Sequence, residues 1–356
     1  MDNTMKEKHI TAWLLAFGMF LGAAGTAEGR VWHVNVQGTG DMPTIQAAID
    51  TATTGDTILV APGFYTWVNQ GTGDEYGLIK FLRGVSGFTL LGAFGAEATV
   101  LDAQKRGRVA FVQGDNDVTF DGFTFTNGVA PDFGYNDGGG LVGHLSNPII
   151  KNCIFRNNVA RAGGGMWYGG WHAIQVTNCQ FYDNTATYGG GVFLINSQPA
   201  STFRNCTFHD NQATLDGGGI YLYRVPTTFI DCTIYNNSAL EAGGGLYCNY
   251  IHPCTFRNCT FSENTSPDGS GIYLWQDNEK LTVNNSIIAF GPGGPALTLV
   301  VGSLEVSCSN VFGNAGGNGL PAGTTDLGGN FSMDPLFCGP LGSHIFTLQG
   351  VSPCAP

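Results

Sequence analysis

The chain has 356 residues, 54 of them glycine, and 43% of it is hydrophobic; that content excludes disorder, and glycine without a Gly-x-y period excludes collagen. Its formal charge is −12 with only 15 lysines and arginines, which disfavours nucleic acid and acidic lipid as partners. The same charge argues against a polyanionic glycan unless bound Ca²⁺ offsets the repulsion.

Residues 1–27 read as a secretory signal, with an apolar stretch from Ala12 to Leu21 and small residues at Gly25-Thr26-Ala27. The charged start is weak, because Asp2 and Glu7 cancel Lys6 and Lys8; a start at Met5 leaves a positive flank. No cysteine precedes Cys153, which argues against a lipid anchor, and no other stretch is long enough to cross a membrane as a helix. The expected address is therefore an oxidising space outside a bacterium, secreted or at the cell surface. Residues 28–65 read as a cap and first coil. Pro43 to Asp50 forms a short amphipathic helix with proline in its first turn, and Gly55 to Tyr65 reads as turn, strand and turn. Val85–Leu90 and Val118–Phe125 read as further strands, and Gly128 to Tyr135 as a protruding loop.

From Gly138 onward one block recurs six times. It begins Gly138-Gly139-Gly140-Leu141, Gly163-Gly164-Gly165-Met166, Gly189-Gly190-Gly191-Val192, Gly217-Gly218-Gly219-Ile220, Gly243-Gly244-Gly245-Leu246 and Gly269-Ser270-Gly271-Ile272, at intervals of 25 to 28 residues. A second series keeps phase with it: Asn152-Cys153, Asn178-Cys179, Asn205-Cys206, Asp231-Cys232 and Asn258-Cys259, with Asn285-Ser286 as a degenerate sixth. Two residues after each cysteine comes Phe155, Phe181, Phe208, Ile234 or Phe261, and three further on Asn158, Asn184, Asn211, Asn237 or Asn264. A period in this range marks a solenoid whose units bury their apolar faces against one another. It fits three short strands and three turns per coil, with roughly ten coils between positions 31 and 314.

Alternation assigns the faces. The first and third positions after each last glycine point inward, as do the cysteine and the ring two residues on. Glycine and asparagine suit the corners, where positive φ and close approach are needed, and stacked asparagines can bond one another as a ladder. A phosphate-binding loop is the rival reading of the glycines, but Gly-Lys-Ser/Thr never follows them. The repeating cysteines read as small buried hydrophobes and not as a zinc site; Cys308 falls one residue off their register. Cys248 with Cys254, and Cys338 with Cys354, are candidate disulfides.

The paired motifs Phe-x-x-Asn and Gly-Gly-Gly-aliphatic resemble the repeats of chlamydial polymorphic outer-membrane proteins. The wider pattern, with its helix-then-strand opening, resembles the right-handed parallel β-helix, or pectin-lyase-like, superfamily. The resemblance implies an all-β right-handed parallel β-helix over residues 66–314, a short capping helix before it and a tail over 315–356. The tail lacks the alternating segments of the membrane proteins' C-terminal barrel. Asn330 to Phe337 and Ser352-Pro353-Cys354 instead resemble the closing segment of secreted bacterial β-helix proteins, which usually runs on further. A sorting or anchoring module is thus expected to be missing.

Many β-helix relatives cleave acidic polysaccharides, but the signatures of polygalacturonase-like hydrolases and of pectate lyases are absent here. The sharper feature is the outward second position, which carries Val142, Trp167, Phe193, Tyr221, Tyr247 and Tyr273, joined at the fourth position by Ile195, Tyr223 and Trp275. An exposed aromatic strip suits sugar faces, although stacked rings also stabilise a sheet by themselves. Trp167, Phe193, Tyr221, Tyr223, Tyr247, Tyr273 and Trp275 are the expected glycan-binding residues. Asp137, Asp216, Glu241 and Asp268 precede the glycines; Asp216 and Glu241, on successive coils, are the candidate catalytic pair against ordinary turn chemistry. The sequence thus predicts a secreted, non-catalytic, adhesin-like protein that binds extracellular or cell-surface glycans, with no metal site and no cofactor. The alternative is a polysaccharide lyase or glycoside hydrolase, the lyase using Ca²⁺.

Overall fold

The computed structural model describes residues 29–354 apart from 72, 75, 83–86, 115–116, 132–136, 198, 251–252 and 339–345, and for 276–279 the backbone alone. The signal segment and residues 132–135 of the protruding loop lie outside the described residues. One coil is made of Val192–Ile195, Ser201–Arg204 and Thr207–His209, then Gln212–Asp216 along a fourth edge, one strand more than the three expected. Each strand pairs in parallel with its counterpart one coil on: Val192 with Ile220, Thr202 with Thr228, Phe208 with Ile234, Ala213 with Ala239. Repetition gives an all-β parallel solenoid of about ten turns.

The inward positions close the bore. Leu141, Met166, Val192, Ile220, Leu246 and Ile272 are buried, and so are Tyr168, Leu194, Leu222, Cys248 and Leu274. Phe125, Phe155, Phe181 and Phe208 stack face to face at 4.6, 4.7 and 5.0 Å, and Phe203, Phe229 and Phe256 at 4.9 and 4.5 Å. These separations match the ~4.8 Å rise between parallel strands, so ring stacking and strand pairing satisfy one spacing. Cys153, Cys179, Cys206, Cys232 and Cys259 form a buried column beside the rings, each thiol facing the carbonyl two residues before it.

Two asparagine ladders hold the corners, where the sequence marked out both sets of asparagines. In the buried ladder Asn158, Asn184, Asn211 and Asn237 each donate Nδ2 to Oδ1 of the asparagine one coil on, at 2.9 to 3.0 Å. The left-handed corner falls on the residue before: Asn157, Asp183, Asp210, Asn236 and Glu263 have φ of 51° to 56°. The outer ladder is Asn152, Asn178 and Asn205, themselves left-handed, with Asn178 and Asn205 each donating to the asparagine one coil back. Cys308 aligns with this column, after Asn285, and is exposed; Ser309 takes the inward thiol's place.

The triple glycine answers two demands. Gly217 sits at φ 69°, and a Cβ on Gly218 would lie 2.4 Å from the Gly244 carbonyl oxygen of the next coil. Ser270 occupies that middle position without conflict because the coil beyond it runs differently, offering the Gly294 and Pro295 carbonyls to its hydroxyl.

The capping helix, α1 (Ile45–Thr51), starts two residues later than expected, with Thr44 as its N-cap and Pro43 outside it. A second short helix, α2 (Trp67–Gln70), has a Thr66 capping box that the sequence reading did not single out. Neither candidate disulfide is formed. Cys248 and Cys254 are buried thiols on inward positions, and Cys338 and Cys354 are also free. The tail holds by other contacts: Cys354 Sγ accepts from Asn310 Nδ2 at 3.1 Å, and Phe346 packs on Tyr235 at 4.9 Å. Among the described residues no helix is long and apolar enough to cross a membrane.

Candidate functional site

The outward positions of the first strand stack run in one register column: Lys80, Phe111, Val142, Trp167, Phe193, Tyr221, Tyr247, Tyr273. A second column, two residues along, carries Gln113, His144, Gly169, Ile195, Tyr223, Asn249 and Trp275. The bordering corner supplies a third, with Asp137, Ala162, Tyr188, Asp216, Ala242 and Asp268. The pleat thus brings the expected aromatic residues onto one face, with Asp137, Asp216 and Asp268 along its edge; Glu241 falls outside that column, because Ala242 is the register partner of Asp216.

Their exposure differs from the expectation. Phe193, Tyr221, Tyr247 and Tyr273 stack on one another at 4.8, 4.8 and 5.0 Å, within 17° of parallel. Tyr188 closes edge-on at 5.6 Å from Tyr221, and Ala242 packs beside them. Tyr221 and Tyr247 are left 7% and 4% exposed, so the centre of the strip is covered. Ring faces in this stack meet other rings, and the stack presents its half-buried members, Phe193 and Tyr273, to the outside. Trp167, Phe193, Tyr223 and Tyr273 are half-buried, and Trp275 is 46% exposed. Tyr223 lies edge-on to Tyr250 at 6.0 Å, and the Arg224 guanidinium sits over both rings.

Asp216 is half-buried beside the tyrosines and Glu241 is exposed. Burial, then the negative charge of Glu241, pushes the Asp216 carboxyl up to about 6, against the pull of the Ala242 backbone N–H. Burial, reinforced by the Asp216 charge, raises the Tyr221 hydroxyl to about 12 while Asn249 Nδ2 donates to it at 3.2 Å. Asp268 Oδ1 accepts from the Thr298 hydroxyl at 2.7 Å. The arrangement offers proton-bearing tyrosines, a carboxyl that holds its proton into mildly acidic conditions and a second carboxylate one coil away.

A smaller cluster on the same face escaped sequence reasoning. Asp137 is 4% exposed, and Arg161 Nη2 donates to its Oδ1 at 2.9 Å. Arg108, 5% exposed, donates Nε to the Asp137 carbonyl at 2.9 Å. Burial pushes the Asp137 carboxyl up, and the two arginines oppose that rise. Beside it is a cavity of about 120 Å³ lined by Phe111, Gln113, Asp137, Val142, His144 and Trp167. Burial lowers the His144 imidazole below its ordinary value, which favours the neutral ring. The one available signal was Asp137 in the position before the glycines. Arg108, Phe111 and Gln113 belong to a coil without the glycine marker. Among the described residues no group of three or more His, Cys, Asp or Glu is placed to hold a metal ion.

Comparison with known proteins bears on the fold. No curated protein matches the sequence. A solved pectate lyase, Pel9A, superposes with a TM-score of 0.53 at 16% identity, over 85% of this chain and 75% of that one. A variant of the PL6 family alginate lyase AlyGC gives 0.50 at 14% identity, over 83% of this chain and 40% of that one. A pectin methylesterase from carrot gives 0.44 at 14% identity, over 88% and 91%. At identities this low the first two superpositions show a shared fold alone. The family model described as right handed beta helix region matches residues 102–248 and 216–327, together more than half of the sequence. With the parallel register seen coil after coil, that match places the chain in the right-handed β-helix family.

Proposed function

We propose that the chain is an extracellular carbohydrate-binding β-helix, with a polysaccharide laid along the outer face of the first strand stack. The observation that carries this reading is the unbroken register of ring-bearing positions from Trp167 to Tyr273, bordered by Asp216 and Asp268. A periodic face suits a periodic ligand, and half-buried rings with polar edges suit sugars. Two solved structures of the same fold are named as a pectate lyase and an alginate lyase, which supports a polysaccharide as the ligand class. The signal-like first 27 residues support secretion or display on a bacterial surface. Contact falls on Trp167, Tyr223, Tyr273 and Trp275, since Tyr221 and Tyr247 are covered.

Affinity-gel electrophoresis against neutral and uronate polysaccharides tests this reading. Retardation by at least one glycan is expected, weakened about tenfold by Trp275→Ala combined with Tyr273→Ala, the loss of two aromatic contacts. No retardation in any gel, or retardation indifferent to both substitutions, refutes it. A second reading is favoured by the raised Asp216 carboxyl beside Glu241: a hydrolase with Asp216 as proton donor, or a Ca²⁺-dependent lyase. Reducing ends or unsaturated products, released with Ca²⁺ present and abolished by Asp216→Asn, would establish turnover in place of simple binding.

A further inference from the structure

We propose that Cys308 and Cys354 form a reversible disulfide, a covalent latch that pins the C-terminal tail to the last coils of the solenoid. The latch stands apart from the carbohydrate reading and does not depend on it.

Three thiols lie outside the bore. Cys308 and Cys338 are exposed and Cys354 is half-buried, while the other seven are buried. The tail orients its two cysteines in opposite directions. Phe337 turns its ring inward, onto Phe290 at 6.1 Å and Phe346 at 5.2 Å. It pairs with Leu348 in an antiparallel bridge, and the Cys338 N–H donates to the Thr347 carbonyl at 2.7 Å. Alternation then sets Cys338 on the outer side of the tail, beside exposed Thr347 and away from the solenoid.

Cys354 faces the solenoid. Its Sγ accepts from Asn310 Nδ2 at 3.1 Å, and its backbone N–H donates to the Ser352 hydroxyl at 3.0 Å. Asn310 comes two residues after Cys308. Ser309 between them is fully buried and donates inward to the Ser307 carbonyl, so Cys308 and Asn310 share the outer side. Two residue steps span at most about 7 Å of chain. The Cys354 thiol is thus docked beside the corner that carries Cys308. Both thiols open onto one cavity of about 490 Å³ between that corner and the tail, with Asn285, Gly329 and Pro353 also in its wall. A disulfide needs Cα atoms roughly 5.5–6 Å apart, so a short shift of Cys354 from Asn310 toward the corner closes the bond through space that is already open.

The column itself changes where the tail crosses it. Cys308 stands where the two preceding coils carry Asn258 and Asn285, and Asn285 Nδ2 donates to Asn258 Oδ1 at 2.9 Å. A thiol at this position gives up the amide ladder and supplies a group that can bond covalently.

Closing the latch takes an oxidant, a small-molecule disulfide such as oxidised glutathione. The Cys308 thiolate attacks one donor sulfur, breaks the donor S–S bond and expels one thiolate. The Cys354 thiolate then attacks the Cys308 sulfur of the mixed disulfide and expels the second. Two protein thiols lose two protons and two electrons, and the donor is reduced to two thiols. Exposed Cys308 takes the first step, because burial pushes the Cys354 thiol up, against the pull of Asn310 and Ser352. Each coil of a solenoid is held by its neighbours alone, so the latch keeps the final coils from peeling under oxidising conditions and releases them under reducing ones.

The test incubates the whole reduced chain with oxidised glutathione, digests it without reduction and maps the peptides by mass spectrometry. A peptide pair joining Cys308 to Cys354 is expected, and among the exposed thiols only Cys338 should still react with a maleimide. Cys338→Ser should leave the crosslink intact, whereas Cys308→Ser and Cys354→Ser should each abolish it. Circular dichroism of the reduced variants checks that each is folded. Closing the bond should raise the thermal unfolding midpoint by about 5 °C, and dithiothreitol should reverse the rise. A peptide joining Cys338 to either partner, glutathione left on Cys308, no crosslink at all, or a crosslink that leaves the midpoint unmoved overturns the latch.

Discussion

Asn211 commits its whole side chain to other coils. Nδ2 donates to Asn237 Oδ1 at 2.9 Å and to the Phe181 carbonyl at 2.8 Å, while Oδ1 accepts from the backbone N–H and Nδ2 of Asn184 at 3.2 and 3.0 Å. The residue is fully buried, so none of these partners can turn to water when it is lost. Asn211→Ala leaves the Asn184 N–H and the Phe181 carbonyl unsatisfied inside the wall. The expected loss is about 3 kcal/mol of unfolding free energy, two buried polar groups left unpaired. Asn211→Asp keeps the acceptor but sets a carboxylate against Asn237 Oδ1, and is expected to cost at least as much. Denaturant titration of both variants measures this, and a loss within experimental error of zero would show that water enters the ladder.

At the scale of the element, the fold repeats one corner and tolerates exchange wherever local geometry is kept. The thiol of Cys206 faces the Arg204 carbonyl at 3.3 Å; Ser286 and Ser309, in the same column, donate to Asn284 and Ser307 at 2.8 Å. Cys206→Ser therefore has a ready partner and is expected to cost under about 1 kcal/mol, less than a buried hydroxyl without one. The same geometry predicts how a thiol reagent reacts with the native chain. Exposed Cys308 and Cys338 should react fast, half-buried Cys354 more slowly, and the buried seven only after unfolding. A native chain in which Cys308 alone reacts fast would mean that Cys338 and Cys354 bridge the tail. The strand alternation, the thiol column and the asparagine corners were legible in sequence because each is set by a residue's own backbone demands and repeats in phase. Coverage of the aromatic strip was not legible. Tyr188 and Ala242, which close over Tyr221 and Tyr247, belong to the column just before the glycines, where the residue type changes from coil to coil. The Asp137 cavity was hidden for a related reason: its Arg108, Phe111 and Gln113 come from an early coil whose turn lacks the triple glycine.

Across the whole molecule, stacking places like residues in columns, so carboxylates at one corner act on one another along the solenoid in a chain whose net charge is already −12. Asp216 feels this most directly. Its carboxyl is held up at about 6 by burial and by Glu241, against an ordinary value of 3.8. Between about pH 4 and 6 the native state therefore binds more protons at this site than the unfolded chain, and stability falls as pH rises through that window. The side chain is partly open to solvent, so the contribution is discounted to about 1 kcal/mol. Asp137, raised by burial, adds in the same direction. The N-terminal cap has the opposite sign. Asp56 is held below its ordinary value by the Thr53 N–H, the Trp32 indole N–H and the Arg30 N–H, and the stability it provides is lost as pH falls below about 4. Asp216→Asn should match the parent chain near pH 4 and exceed it by pH 7 in thermal unfolding midpoint, whereas Asp56→Asn should lower the midpoint at pH 7 by an amount that shrinks as pH falls below about 4. Melting curves at unit steps from pH 3 to 7 separate the two. If the parent and Asp216→Asn midpoints run parallel across the range, the carboxyl is solvated as an ordinary turn residue and loses its claim to a proton-transfer role.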